Sequence, residues 1–375
     1  MKQLLGLFFT LPLFVTAAEN RDLHFSTSCD STNDVAIISV IGDVLIHDAI
    51  YKSVVNGSKD FSQIWRRSVP LFTKADFAIA NLEGPAAMGI DVSGRDHGDV
   101  GFIYDKVVYS GTNFSFNYHP RILSDLAKSG IDLITLANNH SLDRKAIGID
   151  RTLEAANKIG LPTVGTRSSS DRSGKFYKVV RIQDLDLAVI GCTEMTNGHA
   201  DTKEQLLFCY KDGKEIENTI KELRSQVDAI LVYPHWGQEY NNSPDSSQKT
   251  YARRFLEAGA TAVIGSHPHV LQPWEKYITK DGRETLIAYS LGNFVAYQKG
   301  LEKKTGVVVY LGLSQSANQK GKVVGALYSP TYRDGTEVFP VSKSSDAAEE
   351  ASRYFGTLNR LPANESAHAK MCGNN

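Results

Sequence analysis

The sequence is poor in several features that mark common protein classes, beginning with net charge. Its 41 Lys and Arg residues nearly balance 42 Asp and Glu residues, which leaves a net charge of −1. This balance gives no electrostatic reason to expect a nucleic acid partner, because DNA and RNA are bound by strongly basic surfaces. Internal repeats, low-complexity tracts and domain linkers are also missing, and 375 residues suit one large α/β domain.

Long hydrophobic runs are scarce, and the one notable run lies at the N-terminus. Residues 4–15 are apolar and uncharged, follow Lys2, and precede the small residues 16–18. This pattern predicts a secretory signal peptide over residues 1–18, cleaved near Ala18. An uncleaved anchor is the less favoured alternative, because a transmembrane helix needs about 20 apolar residues. We therefore expect a secreted or periplasmic protein with no integral membrane span after signal cleavage.

Cysteine is rare, with four residues and no Cys-x-x-Cys pair. The missing pair argues against a cysteine-based zinc site. In an exported protein the cysteines can form disulfides, and four cysteines allow three pairings. We favour Cys192–Cys209, which closes a short loop, and Cys29–Cys372, which ties the two termini together. Buried free thiols are the alternative.

Apolar strand patterns alternate with amphipathic helix patterns through most of the chain, which predicts an α/β layered fold. The predicted domain covers residues 35–341, after a polar leader at 19–34 and before a polar C-terminal tail at 342–375. The predicted strands of the alternating part are 35–41, 77–80, 131–137, 187–191, 229–233 and 261–265. The predicted helices are 120–129, 149–159 and 248–258.

Two segments depart from this alternation. After residue 284, strands are predicted at 285–289, 306–312, 322–328 and 336–341 with no helix between them, which indicates antiparallel sheet. The segment 88–117 is rich in Gly and Asp and is predicted to be a long functional loop near the site.

Polar side chains cluster directly after the predicted strands. The clearest cluster is His267-Pro268-His269, just after an apolar strand. Because side chains alternate along a strand, a His-x-His end is expected to point both rings to one side of the sheet. Comparable clusters follow five other strands: Gly42-Asp43 with His47, Asn81-Leu82-Glu83, Asn138-Asn139-His140 with Asp143, His235-Trp236-Gly237, and Ser290-Leu291-Gly292-Asn293-Phe294.

These clusters together predict one shared metal site, because ligands of α/β sheets bind where the carboxyl ends of strands converge. Carboxylates, amides and imidazoles suit Mn, Fe or Zn, whereas Ca prefers oxygen ligands alone. Each residue taken singly has an ordinary alternative. An Asp after a strand is commonly a turn or N-cap residue, and a single His there is commonly structural.

In their order along the chain, these motifs resemble those of the CapA/PgsA family. That family is linked to poly-γ-glutamate capsule biosynthesis and is related to the calcineurin-like metallophosphoesterases. The resemblance covers residues 35–295. It implies a four-layer α/β/β/α sandwich with a centre for two divalent metal ions between the strand-end loops, and other capsule-synthesis proteins as partners.

The metal ligands implied by the resemblance form two groups that share one carboxylate, Glu83. The first metal would be bound by Asp43 and His269. The second metal would be bound by Asn139, His235 and His267.

Three positions depart from the metallophosphoesterase pattern. The opening Asp-x-His motif has Leu45 in place of His, so either His47 replaces that ligand or the first metal lacks one. The bridging Asp of the pattern is Glu83 here. The Gly-Asn-His-Asp/Glu motif reads Asn138-Asn139-His140-Ser141. These departures leave either one or two filled metal sites open.

The resemblance also implies a catalytic pair and substrate contacts. His140 would be the general acid or would stabilise the charged transition state, and Asp143 would set its tautomer through a hydrogen bond. Asn81 and Asn293 are predicted substrate contacts. Arg144 is predicted to guide an anionic substrate, with a solvated helix entrance as the alternative.

Two hypotheses about function follow from these residues. The first is a metal-dependent hydrolase that acts on a phosphoester or on an anionic polymer such as poly-γ-glutamate. The second is a non-catalytic factor that binds or exports the polymer and has a structural or vestigial metal site.

Overall fold

Two β-sheets packed face to face form the centre of the protein in the computed structural model, which describes residues 21–29, 31–112, 115–342 and 345–373. The signal peptide predicted for residues 1–18 lies outside the described residues. Within the described ranges, no helix is both long and apolar enough to cross a membrane.

The strands and helices alternate through most of the chain. The strands are β1 (Val35–Val44), β2 (Phe77–Leu82), β3 (Ser110–Thr112), β4 (Ser115–Asn117), β5 (Leu133–Thr135), β6 (Thr163–Val164), β7 (Tyr177–Ile182), β8 (Leu185–Thr193), β9 (Ala229–His235), β10 (Ala262–Ile264), β11 (Leu271–Ile278), β12 (Glu284–Leu291), β13 (Asn293–Val295), β14 (Thr305–Ser314), β15 (Val323–Asp334) and β16 (Glu337–Pro340). The helices are α1 (Asp48–Asn56), α2 (Val69–Phe72), α3 (Arg121–Lys128), α4 (Lys145–Lys158), α5 (Gly213–Leu223), α6 (Ser246–Ala258), α7 (Leu301–Lys304), α8 (Asp346–Phe355) and α9 (Ala367–Gly373).

Each sheet combines parallel and antiparallel strands. The first sheet has the order β16-β15-β14-β1-β2-β5-β6, with β1, β2, β5 and β6 parallel and β14 to β16 antiparallel to their neighbours. The second has the order β11-β12-β10-β9-β8-β7, with β8, β9, β10 and β12 parallel. Its edge strands β7 and β11 are antiparallel. Strands β3 and β4 form a separate two-stranded hairpin that belongs to neither sheet.

Three hydrophobic clusters separate four layers of secondary structure. In β1, Ile37 packs with residues of α1, α3 and α4, whereas its neighbour Ile38 packs in the cluster between the sheets. In β8, Val189 faces that same inter-sheet cluster, and Ile190 packs with α5 and α6. Because side chains alternate along a strand, each strand packs against a helix layer on one face and against the other sheet on the opposite face. The predicted four-layer α/β/β/α sandwich is confirmed.

The predicted elements before residue 284 all overlap observed ones of the same type. The prediction of antiparallel sheet after residue 284 is confirmed for β14, β15 and β16. It is only partly right for 285–289, because β12 pairs antiparallel with β11 but parallel with β10 inside the second sheet. The short helix α7 also lies between the predicted strands, where no helix was expected. The apolar run of β12 is buried on both faces, and such a run does not distinguish the two strand directions. Helices α1 and α5 were not predicted.

The chain on either side of the predicted domain packs against it. Leu23 and Phe25 of the predicted leader are partly buried against the inter-sheet cluster. In the predicted tail, Phe355 of α8 is fully buried in the same cluster. Residues 346–373 therefore contribute helices to the domain surface, because α8 has an apolar face that a polar average composition conceals.

Both favoured disulfides are present, and the alternative of free thiols is wrong. Cys29–Cys372 joins the N-terminal segment to α9. Cys192–Cys209 joins the end of β8 to the segment that precedes α5.

Removing the Cys29–Cys372 disulfide should destabilise the fold, because the bond joins residues 343 apart in sequence and restricts the unfolded chain. We expect the double variant C29S/C372S to lose about 2–5 kcal/mol of unfolding free energy. Urea denaturation under non-reducing conditions measures this loss. Equal unfolding free energies for the variant and the wild-type protein would contradict the prediction.

Candidate metal centre

The strand-end clusters meet where the parallel strands of both sheets reach their carboxyl ends. Asp43 lies near the end of β1 beside Asn81 of β2, and Glu83 follows β2 directly. From the second sheet, His235 is the last residue of β9, and its Nδ1 lies 3.7 Å from Asp43 Oδ1. The two sheets therefore supply side chains to one buried site.

Gly42 permits a close approach of the chain next to Asp43. The pairing of β1 with β2 shifts register between Ile41 and Asp43, so Gly42 forms a bulge. A Cβ atom at Gly42 would lie 2.1 Å from the carbonyl oxygen of Gly292. The backbone N–H of Asp43 donates to that same oxygen over 3.2 Å. A side chain at position 42 would break this contact and displace Asp43.

His267 and His269 reach the site from a loop and not from a strand. Strand β10 ends at Ile264, and the two histidines have φ angles of 103° and 58°. The expected alternation along a strand is therefore not the reason that the rings converge. Left-handed backbone on both sides of Pro268 turns them inward. The backbone N–H of His267 donates to Asp43 Oδ2 over 3.2 Å, which holds this loop against β1.

Glu83 belongs to two groups of side chains that can bind a metal ion. One group is Glu83, His235 and His267, and the other is Asp43, Glu83 and His269. Within each group, one ligand atom per residue lies within 4.8 Å of the others. Asn139 adjoins the first group, because its Oδ1 lies 3.0 Å from His235 Nε2.

The carboxylate of Glu83 is fully buried, and neither oxygen has a hydrogen-bond partner among the described residues. Its Oε1 lies 3.6 Å from His235 Nε2 and 3.8 Å from His269 Nε2. Burial and the charge of Asp43 raise the pKa of Glu83 well above its ordinary value. A buried carboxylate without hydrogen bonds is costly, and cations bound to its two oxygens would remove that cost.

Asp43 and His269 form the charged part of the site. Burial acts to raise the pKa of Asp43, but the hydrogen bond with His269 and the charges of His235 and His269 outweigh it and hold this pKa well below its usual range. Burial acts to lower the pKa of His269, but the carboxylates of Glu83 and Asp43 outweigh it and raise this pKa to about 9. Asn81 Nδ2 donates a further hydrogen bond of 2.8 Å to Asp43 Oδ1.

His235 and His267 are neutral imidazoles. Burial and the neighbouring His267 lower the pKa of His235 well below its ordinary value. Burial and the neighbouring His269 lower the pKa of His267 to about 3. His235 Nδ1 lies 3.1 Å from Ser266 Oγ and 3.3 Å from Asn81 Nδ2, so Nε2 is the ring nitrogen that faces the other candidate ligands. That Nε2 lies 3.1 Å from His267 Nδ1.

The chemistry of this donor set fits a divalent transition metal. Carboxylate, imidazole and amide groups together match the ligands of Mn, Fe and Zn, and the neutral state of two imidazoles leaves their lone pairs available. The two groups share the carboxylate of Glu83, so together they form one cluster of candidate ligands.

His140 lies beside the two groups in a hydrogen-bonded pair. Its Nδ1 donates to Asp143 Oδ2 over 2.8 Å, as the sequence predicted for these two side chains. The same oxygen accepts the backbone N–H of Phe116 over 2.7 Å. The ring of Phe116 packs edge-on against His140, with 4.6 Å between centroids. These contacts fix the tautomer of His140 with its proton on Nδ1.

Among the predicted histidine and carboxylate ligands, only His47 belongs to neither group. Its Nδ1 accepts the backbone N–H of Tyr297 over 3.1 Å, and the residue precedes α1 at the N-cap position. Burial and the charge of His269 lower its pKa to about 4. Position 45 is a buried Leu. The structure therefore provides no substitute at position 47 for the imidazole that Leu45 replaces.

Asn81 and Asn293 are buried and orient other site residues, which differs from the substrate contacts predicted for them. Asn81 donates to Asp43, as described above. Asn293 Oδ1 lies 2.9 Å from His269 Nδ1 and its Nδ2 donates to the carbonyl oxygen of His269. Such partners hold ligand side chains in place.

Arg144 is fully buried. It is therefore not available to guide a substrate, and it does not lie at a solvated helix entrance, so both interpretations of the sequence are wrong. Its guanidinium donates to the carbonyl oxygens of Ile90 and Val108 and to Ser115 Oγ, over 2.8–3.2 Å. Those acceptors belong to the segment 88–117. Arg144 therefore anchors this segment beside Asp143 and acts as a structural residue.

Two further residues of the site were not predicted. Ser266 directly precedes the His-x-His motif and contacts His235, but a lone Ser carries no distinguishing signal. Asn197 contacts Asn139 from a different loop, with Asn139 Nδ2 donating to Asn197 Oδ1 over 3.3 Å. The Asn197-Gly198 pair indicates only a turn.

Comparison with known proteins decides the family. Residues 37–298 match the family described as "Bacterial capsule synthesis protein PGA_cap". The chain belongs to this family. The matched region contains both groups of candidate ligands and the His140–Asp143 pair, and the resemblance to the CapA/PgsA family is thereby confirmed.

The chain is also similar to two Bacillus proteins. The chain is 28% identical over 293 residues to "PGA biosynthesis protein CapA" of Bacillus subtilis (strain 168), which covers 78% of this chain and 71% of that protein. It is 27% identical over 290 residues to "Capsule biosynthesis protein CapA" of Bacillus anthracis, covering 74% and 64%. A crystal structure of a novel phosphatase from Mycoplasma pneumoniae aligns over 80% of this chain and 94% of its own, with a TM-score of 0.43 and 14% identity.

Proposed function

We propose that this protein is an exported, metal-dependent hydrolase that acts in capsule or cell-envelope biosynthesis. The observation that carries the proposal is Glu83, whose buried carboxylate has no hydrogen-bond partner among the described residues and belongs to both groups of ligand side chains. In this proposal Asp43 and His269 would hold one divalent ion. The second would be held by Asn139, His235 and His267, and Glu83 would contribute to both.

The chemistry that the metal ions supply when bound is Lewis acidity toward a phosphoryl or carbonyl oxygen and a lowered pKa of a water molecule. The chain itself supplies the proton transfer. In its doubly protonated form His140 keeps its Nδ1 proton on Asp143 and would donate its Nε2 proton to the leaving group, which returns the ring to the neutral tautomer protonated on Nδ1. Phe116 and Asp143 hold the imidazole in this orientation.

The substrate proposed is a phosphoester or an anionic polymer such as poly-γ-glutamate. The printed names of the two Bacillus relatives concern PGA and capsule biosynthesis, and these support an envelope polymer for this chain as well. Other capsule-synthesis proteins are the proposed partners. Export through the signal peptide at residues 1–18 is part of the proposal and agrees with two disulfides, which persist in oxidising compartments.

A second candidate is a non-catalytic factor that binds or exports the polymer. It is favoured by the position of Leu45 and His47, since the group around Asp43 then lacks the imidazole that metallophosphoesterases place there. In this case the metal ions would stabilise the loops without turnover.

Both candidate functions require a metal centre, so the first measurement is the metal content of the purified protein. We expect the purified full chain to bind at least one Mn, Fe or Zn ion per molecule, measured by mass spectrometry, since the buried ligands need a cation. We further expect hydrolysis within a panel of phosphoesters and γ-glutamyl peptides, lost on chelation and restored by metal. Bound metal without any turnover would favour the second candidate. Less than one ion per chain and no turnover would refute the hydrolase.

A further inference from the structure

We propose that Asn197 is a positioning residue that sets the amide orientation of Asn139 in the metal centre. This inference rests on the proposed function, because it concerns the group that would bind the second ion. Asn197 is exposed, in the loop between β8 and α5, and lies outside the strand-end motifs. It is nevertheless in contact with two residues of the site, Asn139 and His140.

The contact with Asn139 determines which end of the amide faces the centre. Asn139 Nδ2 donates to Asn197 Oδ1 over 3.3 Å, and Asn139 Oδ1 points toward His235 Nε2, 3.0 Å away. An amide carries donors on its nitrogen and lone pairs only on its oxygen. If the amide of Asn139 rotated by half a turn, its NH₂ group would face the imidazole and could not bind a cation. Asn197 opposes that rotation by accepting from the nitrogen.

The contact with His140 is of a different kind. Asn197 Nδ2 lies 3.5 Å from His140 Nδ1, whereas Asp143 Oδ2 lies 2.8 Å from the same nitrogen. Because the proton on Nδ1 is directed at the carboxylate, that nitrogen has no lone pair for Asn197 to use. Asn197 therefore acts on Asn139 and leaves the His140–Asp143 pair intact.

The loop that carries Asn197 is fixed at its base next to the site. The Cys192–Cys209 disulfide closes the loop. Beside it, the backbone N–H of Thr193 donates to Leu207 O over 2.9 Å, and the N–H of Cys209 donates to Thr193 O over 2.8 Å. The N–H of Glu194 donates to the carbonyl oxygen of His235 over 2.9 Å, which joins the loop to β9.

The turn itself also suits asparagine. Asn197 has a φ of 51°, and Gly198 follows with a φ of 81°. Asn is among the few residues that adopt the left-handed region readily. Thr193 Oγ1 donates to the carbonyl oxygen of Met195 over 2.9 Å and supports the approach to the turn. Backbone conformation and side-chain contact therefore both depend on the residue at position 197.

The test measures the binding of Mn²⁺ to the metal-stripped full chain by isothermal titration calorimetry. Asn197→Leu and Asn197→Ala remove the acceptor, and we expect each to weaken the binding of one of two ions by about 10–100-fold, the effect typical of partners that orient a ligand. Asn197→Asp keeps an acceptor oxygen and should bind both ions at least as well as the wild-type protein. Met195→Ala alters an exposed side chain of the same loop and should leave both affinities unchanged.

The outcomes separate this inference from the proposed function. If the wild-type chain binds no Mn²⁺, the proposed metal centre is refuted and the inference with it. If the wild-type chain binds Mn²⁺ and Asn197→Ala binds it equally well, only the inference is refuted. It is refuted equally if Asn197→Asp binds as weakly as Asn197→Leu. Thermal unfolding of each variant before titration confirms that weaker binding does not arise from an unfolded chain.

Discussion

Replacing Glu83 by Gln should remove most of the bound metal and lower the hydrolytic turnover by about 10³-fold or more, since charge stabilisation by metal ions is worth several kcal/mol and each ~1.4 kcal/mol is tenfold in rate. Gln keeps the shape of the side chain but has a neutral amide in place of the carboxylate shared by both ligand groups. Metal content by mass spectrometry and turnover of the most active panel substrate measure the two effects.

The same substitution should change stability in opposite directions with and without metal. Because burial and Asp43 raise the pKa of Glu83, ionising this carboxyl at neutral pH opposes folding of the metal-stripped chain. Glu83→Gln should therefore stabilise the chelated protein by about 1–3 kcal/mol. With saturating Mn²⁺ the order should reverse, because only the wild-type protein gains binding energy, about 2.7 kcal/mol at a metal concentration 100 times Kd.

Glu239→Gln is the matched control. Glu239 lies close enough to raise the pKa of Glu83 but belongs to neither ligand group. It should retain metal content and turnover within a few-fold of wild type. A Glu83→Gln protein that keeps full metal content, or that is less stable than wild type in chelator, would contradict the role given to this carboxylate.

Replacing His140 by Ala should lower turnover by about 10²–10⁴-fold, the usual contribution of a general acid. Metal content should stay at the wild-type level, because His140 belongs to neither group of ligands. A loss of turnover without a loss of bound metal distinguishes a proton donor from a metal ligand. Turnover with a substrate whose leaving group needs no proton should be affected far less than turnover with an alkyl leaving group.

Asp143→Asn refines the same prediction. Asn at this position can still accept a hydrogen bond but cannot stabilise a protonated imidazole as a carboxylate does. We expect the turnover of Asp143→Asn to lie between that of the wild type and that of His140→Ala, with unchanged metal content.

Wild-type turnover in His140→Ala would remove His140 from the mechanism. Loss of metal in that variant would instead make it a ligand.

Much of the fold and of the ligand set was predictable from the sequence. The apolar runs that form β1, β2, β5, β9 and β10 are local patterns, and each ends at or within a few residues of the polar residues that define the site. Because the parallel strands of one sheet deliver their carboxyl ends to one edge, local patterns suffice to bring Asp43 and Glu83 together, whereas His235 joins them from the second sheet. Both disulfide pairings also agreed with simple expectations about the loops they close.

The roles of other polar residues depended on contacts between distant segments. Arg144 follows the His140 motif like a substrate-binding residue, but its acceptors lie in the segment 88–117 and bury it completely. His47 stands where a replacement ligand was expected, yet its Nδ1 is engaged by the backbone of Tyr297. Asn197 carries no motif and enters the site through the fold of its loop.

By itself the sequence determined the family, through the order of its motifs, and with the family the four layers. It also predicted the candidate ligands, because strand ends follow from local hydrophobic pattern and because the identity of an Asp or His limits its chemistry. Only the tertiary structure decided which polar side chains face the centre and which support it. That distinction depends on the atom each side chain contacts, and these contacts join residues far apart in the chain, such as Asn81 with Asp43 and Asn197 with Asn139.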